Sequence, residues 1–380
     1  MLTLSTTTSA AAPESNPQPD FSRAAHLLNV AIADGAFPGC TVAVGDAERL
    51  LWQAPFGHLT YARRQSVELG TLYDLASLTK VVGTTSVILT LVRDGRLALN
   101  DPVGLYLPGL PQSVGRHVTV EHLLTHSSGL PAWQPFYKDA SDFDSLLKRT
   151  YDTALEAMPG ERARYSDVGF LWLGEVATRA GGKPLAALEM ERLFQPLGMT
   201  TTRRDPEILG RARIAPTERL VGQRDEFLHG VVHDENALAG EGLTGHAGLF
   251  ATATDLALLC RELVRGLRDQ STLFPATLLD MFTTRREIVA GSSHALGWDT
   301  PSGKSAAGDL MGRRSFGHTG FTGTSLWVDP DRELYVVLLT NRVHPTRDNP
   351  KIRTVRRTVA NAIVTAVDNA RSTCVTRCQQ

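Results

Sequence analysis

The sequence predicts an α/β (α+β) chain: one antiparallel sheet built from both chain ends, flanked by helices, with a mostly helical domain inserted between them. Three observations carry that expectation. Short apolar runs flanking turn-like residues stand near each end of the chain. From about Val118 to Met281 the clearest periodicity is helical. A last stretch then places apolar residues at helical spacing, as a helix covering a sheet requires.

In chain order, the opening "MLTLSTTTSAAAPESNPQPD" is rich in Ser, Thr, Ala and Pro and predicts a disordered lead-in over 1–20. It has neither a basic n-region nor a continuous apolar core, so it does not read as a signal peptide. A cytoplasmic location is the expectation that follows; a misassigned start would make the protein periplasmic or secreted instead. "CTVAVG" and "LLWQAPFG" flank "DAER" and predict a hairpin between Cys40 and Gly57. After Ser77, the residues Leu78, Val81, Val82, Thr85, Ile88, Leu89 and Val92 follow the spacing of a buried helix, which Gly95 ends. Stretches such as "VEHLLTH", "FDSLLKRTYDTALEAM", "LAALEMERLF" and "TDLALLCRELVRGL" read as helices separated by Gly and Pro turns. A polar loop, "PSGKSAAGDLMGRRS", leads to "GTSLWVD" and "ELYVVLLTN", a second hairpin between Gly323 and Asn341. In the closing segment Ile352, Val355, Val359 and Ile363 share one helical face. The expected division is a sheet domain of 21–100 and 311–370, a mostly helical inserted domain of 101–310, and a flexible tail of 371–380.

Composition narrows the function classes. The 380 residues are 42% hydrophobic, enough for one large or two moderate cores. Lys and Arg (39) nearly balance Asp and Glu (40), giving a formal net charge of -1. A surface without a dominant sign argues against nucleic-acid or anionic-membrane partners. No apolar run reaches the roughly 18 residues of a membrane span. The four cysteines, Cys40, Cys260, Cys374 and Cys378, are too few for a disulfide scaffold in a chain this long. The spacing of the last two supports neither a metal site nor a disulfide.

Chemistry concentrates in three places. In "DLASLTK", Ser77 opens the buried helix, where unpaired backbone N–H groups and a positive dipole suit a developing oxyanion. Lys80, three residues on, falls on the same face. The tetrad alone reads equally as a serine N-cap and an ordinary helical lysine. In "PGERARYSDVGFLWLG", Tyr165 could relay a proton between lysine, serine and a leaving group, or be an interface tyrosine with a wet hydroxyl. In "FGHTGFTGTSLWVD", His318, Thr319 and Gly320 precede a strand, and glycines at 317, 320 and 323 allow a ligand to approach the backbone.

Together, S-x-x-K, Tyr-Ser-Asp and His-Thr-Gly in this order resemble the serine β-lactamase and penicillin-binding-protein superfamily. The pattern is similar to its class C β-lactamase-like branch, which includes D-Ala-D-Ala carboxypeptidases, D-amino-acid peptidases and family VIII esterases. "HLLTHSSGLP" (His122 to Pro131) and "GHAGLFATATDLA" (Gly245 to Ala257) look like that branch too, and the resemblance spans about Phe37 to Asn341. It implies a β-lactamase/transpeptidase-like fold and an acyl-enzyme on Ser77 that water hydrolyses. Lys80 and Tyr165 would share proton transfer, with the base in each step left open. The backbone N–H groups of Ser77 and Phe321 would form the oxyanion hole. His318, Thr319 and Gly320 would contact substrate, and no metal or organic cofactor is implied.

Two positions depart from the family pattern. His318 stands for the lysine of Lys-Thr-Gly, which weakens the hold on a substrate carboxylate and argues against efficient β-lactam hydrolysis. Asp167 stands for the asparagine of Tyr-x-Asn. A carboxylate beside Lys80 would raise the lysine pKa and shift work to Tyr165. Alternatively, Asp167 points elsewhere or accepts a substrate N–H. Trp133, in "GLPAWQPF", lines the cleft rim or packs locally in an exposed loop.

Other signals carry less. His233, Asp234, Glu235 and His246 match no zinc spacing, and their segment reads as a flexible substrate-cleft loop held by polar contacts. "SGKS" (Ser302 to Ser305) is not a phosphate loop, because Trp298 occupies the place of its first glycine. The absence of G-x-S-x-G counts against an α/β-hydrolase. The expectation is a serine hydrolase of D-amino-acid peptides (D-Ala-D-Ala carboxypeptidase-like) or small carboxylic esters. The alternatives are a class C-like β-lactamase and, from another class, a penicillin-recognising sensor or binding protein without turnover. The partner expected is a small molecule or peptide; the sequence leaves the oligomeric state open.

Overall fold

β1 (Gly39–Gly45) and β2 (Leu50–Gly57) form the N-terminal hairpin, in register from Gly39 opposite Gly57, with an irregularity at Val44/Gly45. The computed structural model describes residues 18–220 and 226–378, with side chains to 373. Most of the lead-in expected over 1–20 and the side chains of Cys374 and Cys378 lie outside the described residues. β6 (Ser325–Asp329) and β7 (Leu334–Thr340) form the second hairpin, and β5 (Phe316–Thr319) pairs with β6. β7 also pairs antiparallel with β1, from Cys40 opposite Thr340 to Gly45 opposite Tyr335. The five strands therefore run in the order β2-β1-β7-β6-β5, and the two chain ends close one sheet.

β1, β6 and β7 are buried at every position, so both sheet faces are covered. Their side chains alternate between two cores. Val42, Val44, Val336 and Leu338 meet α1 (Ser22–Ala33) and α8 (Ile352–Cys378) through Leu28, Val359, Ile363 and Val367. Ala43, Val337 and Leu339 face the larger core, which continues into the helical region. There α2 (Ser86–Arg93), α3 (Val120–Leu124), α4 (Phe143–Tyr151), α5 (Asp167–Gly181), α6 (Ala253–Leu267) and α7 (Ala276–Thr283) bury their apolar faces together.

α6 departs from the sequence-based division. It falls within 101–310, yet its buried stripe of Leu256, Leu259, Cys260 and Leu263 packs with β1 and β7, because the inner sheet face needs an apolar cover. α8 also runs through Cys378, into the stretch expected as a flexible tail. Among the described residues, Cys40 and Cys260 are free and buried, and no helix is long and apolar enough to cross a membrane.

The helix after Ser77 forms, but its opening is irregular. A tight turn over Ala76–Leu78 leads into a wider π-type turn over Lys80–Thr85 before α2 begins. Ser86 Oγ donates to the Val81 carbonyl (2.6 Å), tying the wide turn to the start of α2. β3 (Tyr73–Asp74) pairs with β4 (Phe250–Ala251) just ahead of this turn.

Candidate active site

Asp74 shapes the turn that presents Ser77. Its Oδ1 accepts the Ala76 N–H (2.8 Å) and its Oδ2 the His233 N–H (2.7 Å), while Ala76 holds a left-handed φ of 46°. Such a backbone costs about 1–3 kcal/mol and persists only where surrounding contacts enforce it. Two hydroxyls from the turn between β5 and β6 supply more of that enforcement. Thr322 Oγ1 donates to the Asp74 carbonyl (2.7 Å) and Thr324 Oγ1 to the Leu75 carbonyl (3.0 Å). Gly320 permits the approach, since a Cβ there would collide with the Leu75 carbonyl oxygen and Thr324 Oγ1.

Lys80 is fully buried and its Nζ meets three oxygens: Ser77 Oγ at 3.0 Å, the His246 carbonyl at 3.1 Å and Asp167 Oδ1 at 2.6 Å. Burial, the largest influence, pulls the Lys80 pKa down, but Asp167 and Tyr165 more than offset it, so it rests above the usual lysine value. The resting lysine is an ammonium. Asp167 therefore faces Lys80, which selects between the readings the sequence left open.

Tyr165 stands just before α5, whose N-cap Ser166 accepts the Gly169 N–H (3.1 Å) and donates to the Pro131 carbonyl (2.7 Å). The Tyr165 hydroxyl interacts with both Lys80 and Ser77. Desolvation of this half-buried phenol raises its pKa; the nearby ammonium opposes that and Asp167 adds to it. The phenol is neutral at rest.

His318 is buried on β5, and its Nδ1 pairs with the Thr319 carbonyl (2.8 Å), leaving Nε2 as an acceptor. Burial, then the charge on Lys80, push its pKa down to about 3. It supplies no positive charge where the family pattern has a lysine.

Two lobes of one cleft meet at Ser77 and Tyr165. The first, of about 520 Å³, adds His294, Asp299, His318, Thr319 and Gly320, and is ringed by Arg342, Arg347, Arg353 and Arg356. Arg356 gives the Gly320 and Thr324 carbonyls hydrogen bonds of 2.7 and 2.6 Å, and its Nε has no partner among the described residues. The Arg342 guanidinium donates to the carbonyls of Phe321, Arg347 and Asn349. Among the described residues, Arg342, Arg353 and Arg356 form no ion pair with a carboxylate, whereas Arg347 pairs with Glu218 and Glu235. Burial, then the neighbouring arginines, lower the Arg356 pKa to about 9. Sequence reasoning passed over these arginines, although Arg353 and Arg356 sit three apart at the start of the last helix.

The second lobe, of about 370 Å³, adds Trp133, Asp167, His233, Asp234, Glu235, His246 and Phe321. Trp133 is thus at the cleft, 6.4 Å from Tyr137 between ring centroids. The 233–246 segment is pinned rather than loose. Asp234 caps a short helical turn, Glu235–Ala239, through the Ala237 N–H and accepts from His246 Nε2 (2.8 Å), while His233 Nε2 meets Glu218 (3.0 Å). Burial pushes the Asp234 pKa up, but His246 more than reverses this and holds it well below the usual carboxylate range. Phe321 forms part of the wall of both lobes, stacked on His233 and 4.5 Å from the Arg342 guanidinium.

A serine touching a buried ammonium and a neutral phenol, at the meeting of two lobes, can perform acyl transfer. The comparisons agree with that chemistry. The family described as "Beta-lactamase" matches residues 24–361. An N-acetylmuramyl-L-alanine amidase of Bacillus subtilis is 30% identical over 352 residues, 83% of this chain and 79% of that protein. A D-alanyl-D-alanine carboxypeptidase so named in Escherichia coli K12 is 33% identical over 313 residues, covering 74% and 71%. The solved penicillin-binding-protein homologue of Caulobacter crescentus superposes with a TM-score of 0.74 at 22% identity, covering 93% of this chain and 99% of that one. The chain belongs to the β-lactamase family and is a serine hydrolase of that fold.

Proposed function

We propose that the protein hydrolyses amides of alanine that carry a free carboxylate, with D-Ala-D-Ala-type peptides as its substrates and Ser77 as the nucleophile. The observation that carries the reading is the first lobe: three guanidiniums without a carboxylate partner among the described residues face a cavity that opens onto Ser77. A substrate carboxylate there would relieve their mutual repulsion and make charge-assisted hydrogen bonds. The relatives' names point the same way, since both enclose an alanine in the bond concerned.

In this mechanism Ser77 Oγ attacks the carbonyl carbon while its proton passes to Tyr165. Tyr165 hands its own proton to the departing nitrogen, so the phenol relays without being left ionised. Lys80 stays an ammonium and stabilises negative charge growing on Oγ. The backbone N–H groups of Ser77 and Phe321 hold the carbonyl oxygen. Water then attacks the acyl-enzyme, and the same relay returns a proton to Ser77. Trp133 and Asp167 border the lobe that takes the acyl half.

A substrate panel tests the proposal: a D-Ala-D-Ala-terminated peptide, its C-terminal amide, a nitrophenyl ester and a chromogenic cephalosporin. The free acid should exceed the amide by about 10- to 100-fold in kcat/KM, the size of a lost charge-assisted bond. Equal or better turnover of the amide removes the carboxylate reading, and fast turnover of the ester or the cephalosporin alone replaces it. Ser77→Ala should abolish all activity.

A further inference from the structure

We propose that His126 is the positioning residue that locks Tyr165 into line with Ser77, clasping the chain on both sides of the tyrosine. The inference deepens the relay reading above and rests on it. His126 lies in "HLLTHSSGLP", a segment that no step of the mechanism uses. It is buried, with a left-handed φ of 55°, a conformation that histidine tolerates better than most residues. Its carbonyl accepts the Arg164 N–H at 2.8 Å, and its ring Nδ1 accepts the Ser166 N–H at 3.1 Å. One residue thus holds the neighbours on either side of Tyr165. Its ring also packs on the Tyr165 ring, with centroids 4.6 Å apart.

The clasp needs one tautomer. Nδ1 can accept from Ser166 only if the proton sits on Nε2, and Nε2 is buried without a partner among the described residues. A second proton would set one N–H against another. Burial, then electrostatic interactions with His294, Lys80 and His318, hold the His126 pKa well below its usual value, which protects the acceptor. His294 lies edge-on at 4.8 Å and Phe170 at 5.3 Å, closing the ring in. Tyr165 must keep its hydroxyl within reach of both Ser77 and the leaving nitrogen, and a displacement of about 1 Å can cost roughly 100-fold in rate.

The test compares a substrate whose leaving group needs a proton with one whose leaving group does not. His126→Phe keeps the ring and loses the acceptor, while His126→Asn keeps a short acceptor and tolerates the left-handed backbone. With the D-Ala-D-Ala peptide, His126→Phe should lower kcat by about 100-fold with little change in KM, and His126→Asn should recover most of it. With a nitrophenyl ester the same substitutions should cost far less. Equal losses on both substrates, or unchanged peptide turnover in His126→Phe, would overturn the proposal. Where His126→Phe melts below the assay temperature, His126→Leu is measured by the same criterion. Tyr165→Phe separates the two claims. If it fails to discriminate peptide from ester, the relay itself is wrong; if it discriminates and His126→Phe does not, only the clasp is wrong.

Discussion

Asp167 Oδ1 lies 2.6 Å from the fully buried Nζ of Lys80. A buried ammonium without a counter-charge would lose its proton; this carboxylate, with Tyr165, keeps it on. The pair decides which proton-transfer role each group can take.

Asp167→Asn should therefore move the alkaline limb of the kcat profile to lower pH. In the native protein the working ammonium persists above the usual lysine value of 10.5, and activity is lost only as pH rises through the elevated pKa. Without Asp167, Tyr165 alone opposes burial and the limb falls. The stability this raised pKa contributes is present below the unfolded value and lost on crossing the folded one, so pH-dependent unfolding above about 10.5 should also weaken in the variant. A limb that does not move would exclude Lys80 as the titrating group.

Arg353 is exposed and makes no ion pair among the described residues, so Arg353→Gln should test substrate charge without disturbing packing. KM for the carboxylate peptide should rise about 3- to 10-fold, the low end for a charge-assisted bond near solvent. Hydrolysis of a neutral ester should be unchanged. Raising the salt should reproduce part of the effect in the native protein. Steady-state kinetics on both substrates checks this.

Gly83 sits in the wide turn after Lys80, where a Cβ would run into the buried Glu189 carboxylate. Glu189 pairs with Arg204 at 2.8 Å, and Arg204 in turn bonds the Thr244 carbonyl at 2.9 Å. Gly83→Ala should lower unfolding free energy by about 1–3 kcal/mol through overpacking, more if the ion pair opens. Urea unfolding at neutral pH measures it, and an unchanged midpoint would contradict the packing described.

Gly320→Ala should separate structure from chemistry. The added methyl pushes β5 from the Leu75 carbonyl, spoiling the Ser77 turn while leaving most of the sheet in place. A loss of about 100-fold in kcat/KM with native-like circular dichroism is expected, as for misplacement of about 1 Å. Full activity would show that the two elements need not touch.

The hairpins and the last helix were legible because each is written in local spacing, whereas Ser77, Lys80, Tyr165 and His318 were legible only as an ordered set of motifs that resembles the family, since each alone also reads as an ordinary residue. α6 was not legible: periodicity shows that it has an apolar stripe, but not that β1 and β7 receive it. The turn at Lys80–Thr85 was hidden because hydrophobic spacing does not separate four-residue from five-residue hydrogen bonding. Arg342, Arg353 and Arg356 converge on Ser77 only through the closure of β7 on β1, and His126 meets Tyr165 only through tertiary packing. The 233–246 segment looked loose because its partners, among them Asp74 and Glu218, lie elsewhere in the chain.

The hydroxyls of Thr322 and Thr324 reach the turn before Ser77 across 248 and 249 positions of sequence. A ribosome must therefore release the chain past Thr324 before both hydroxyls can reach the turn. Until then the nascent protein carries a serine and a lysine but no assembled reactive centre. A chain that ends before β5 lacks both hydroxyls that hold the backbone ahead of the nucleophile, so the last strands to emerge are the ones that complete its support.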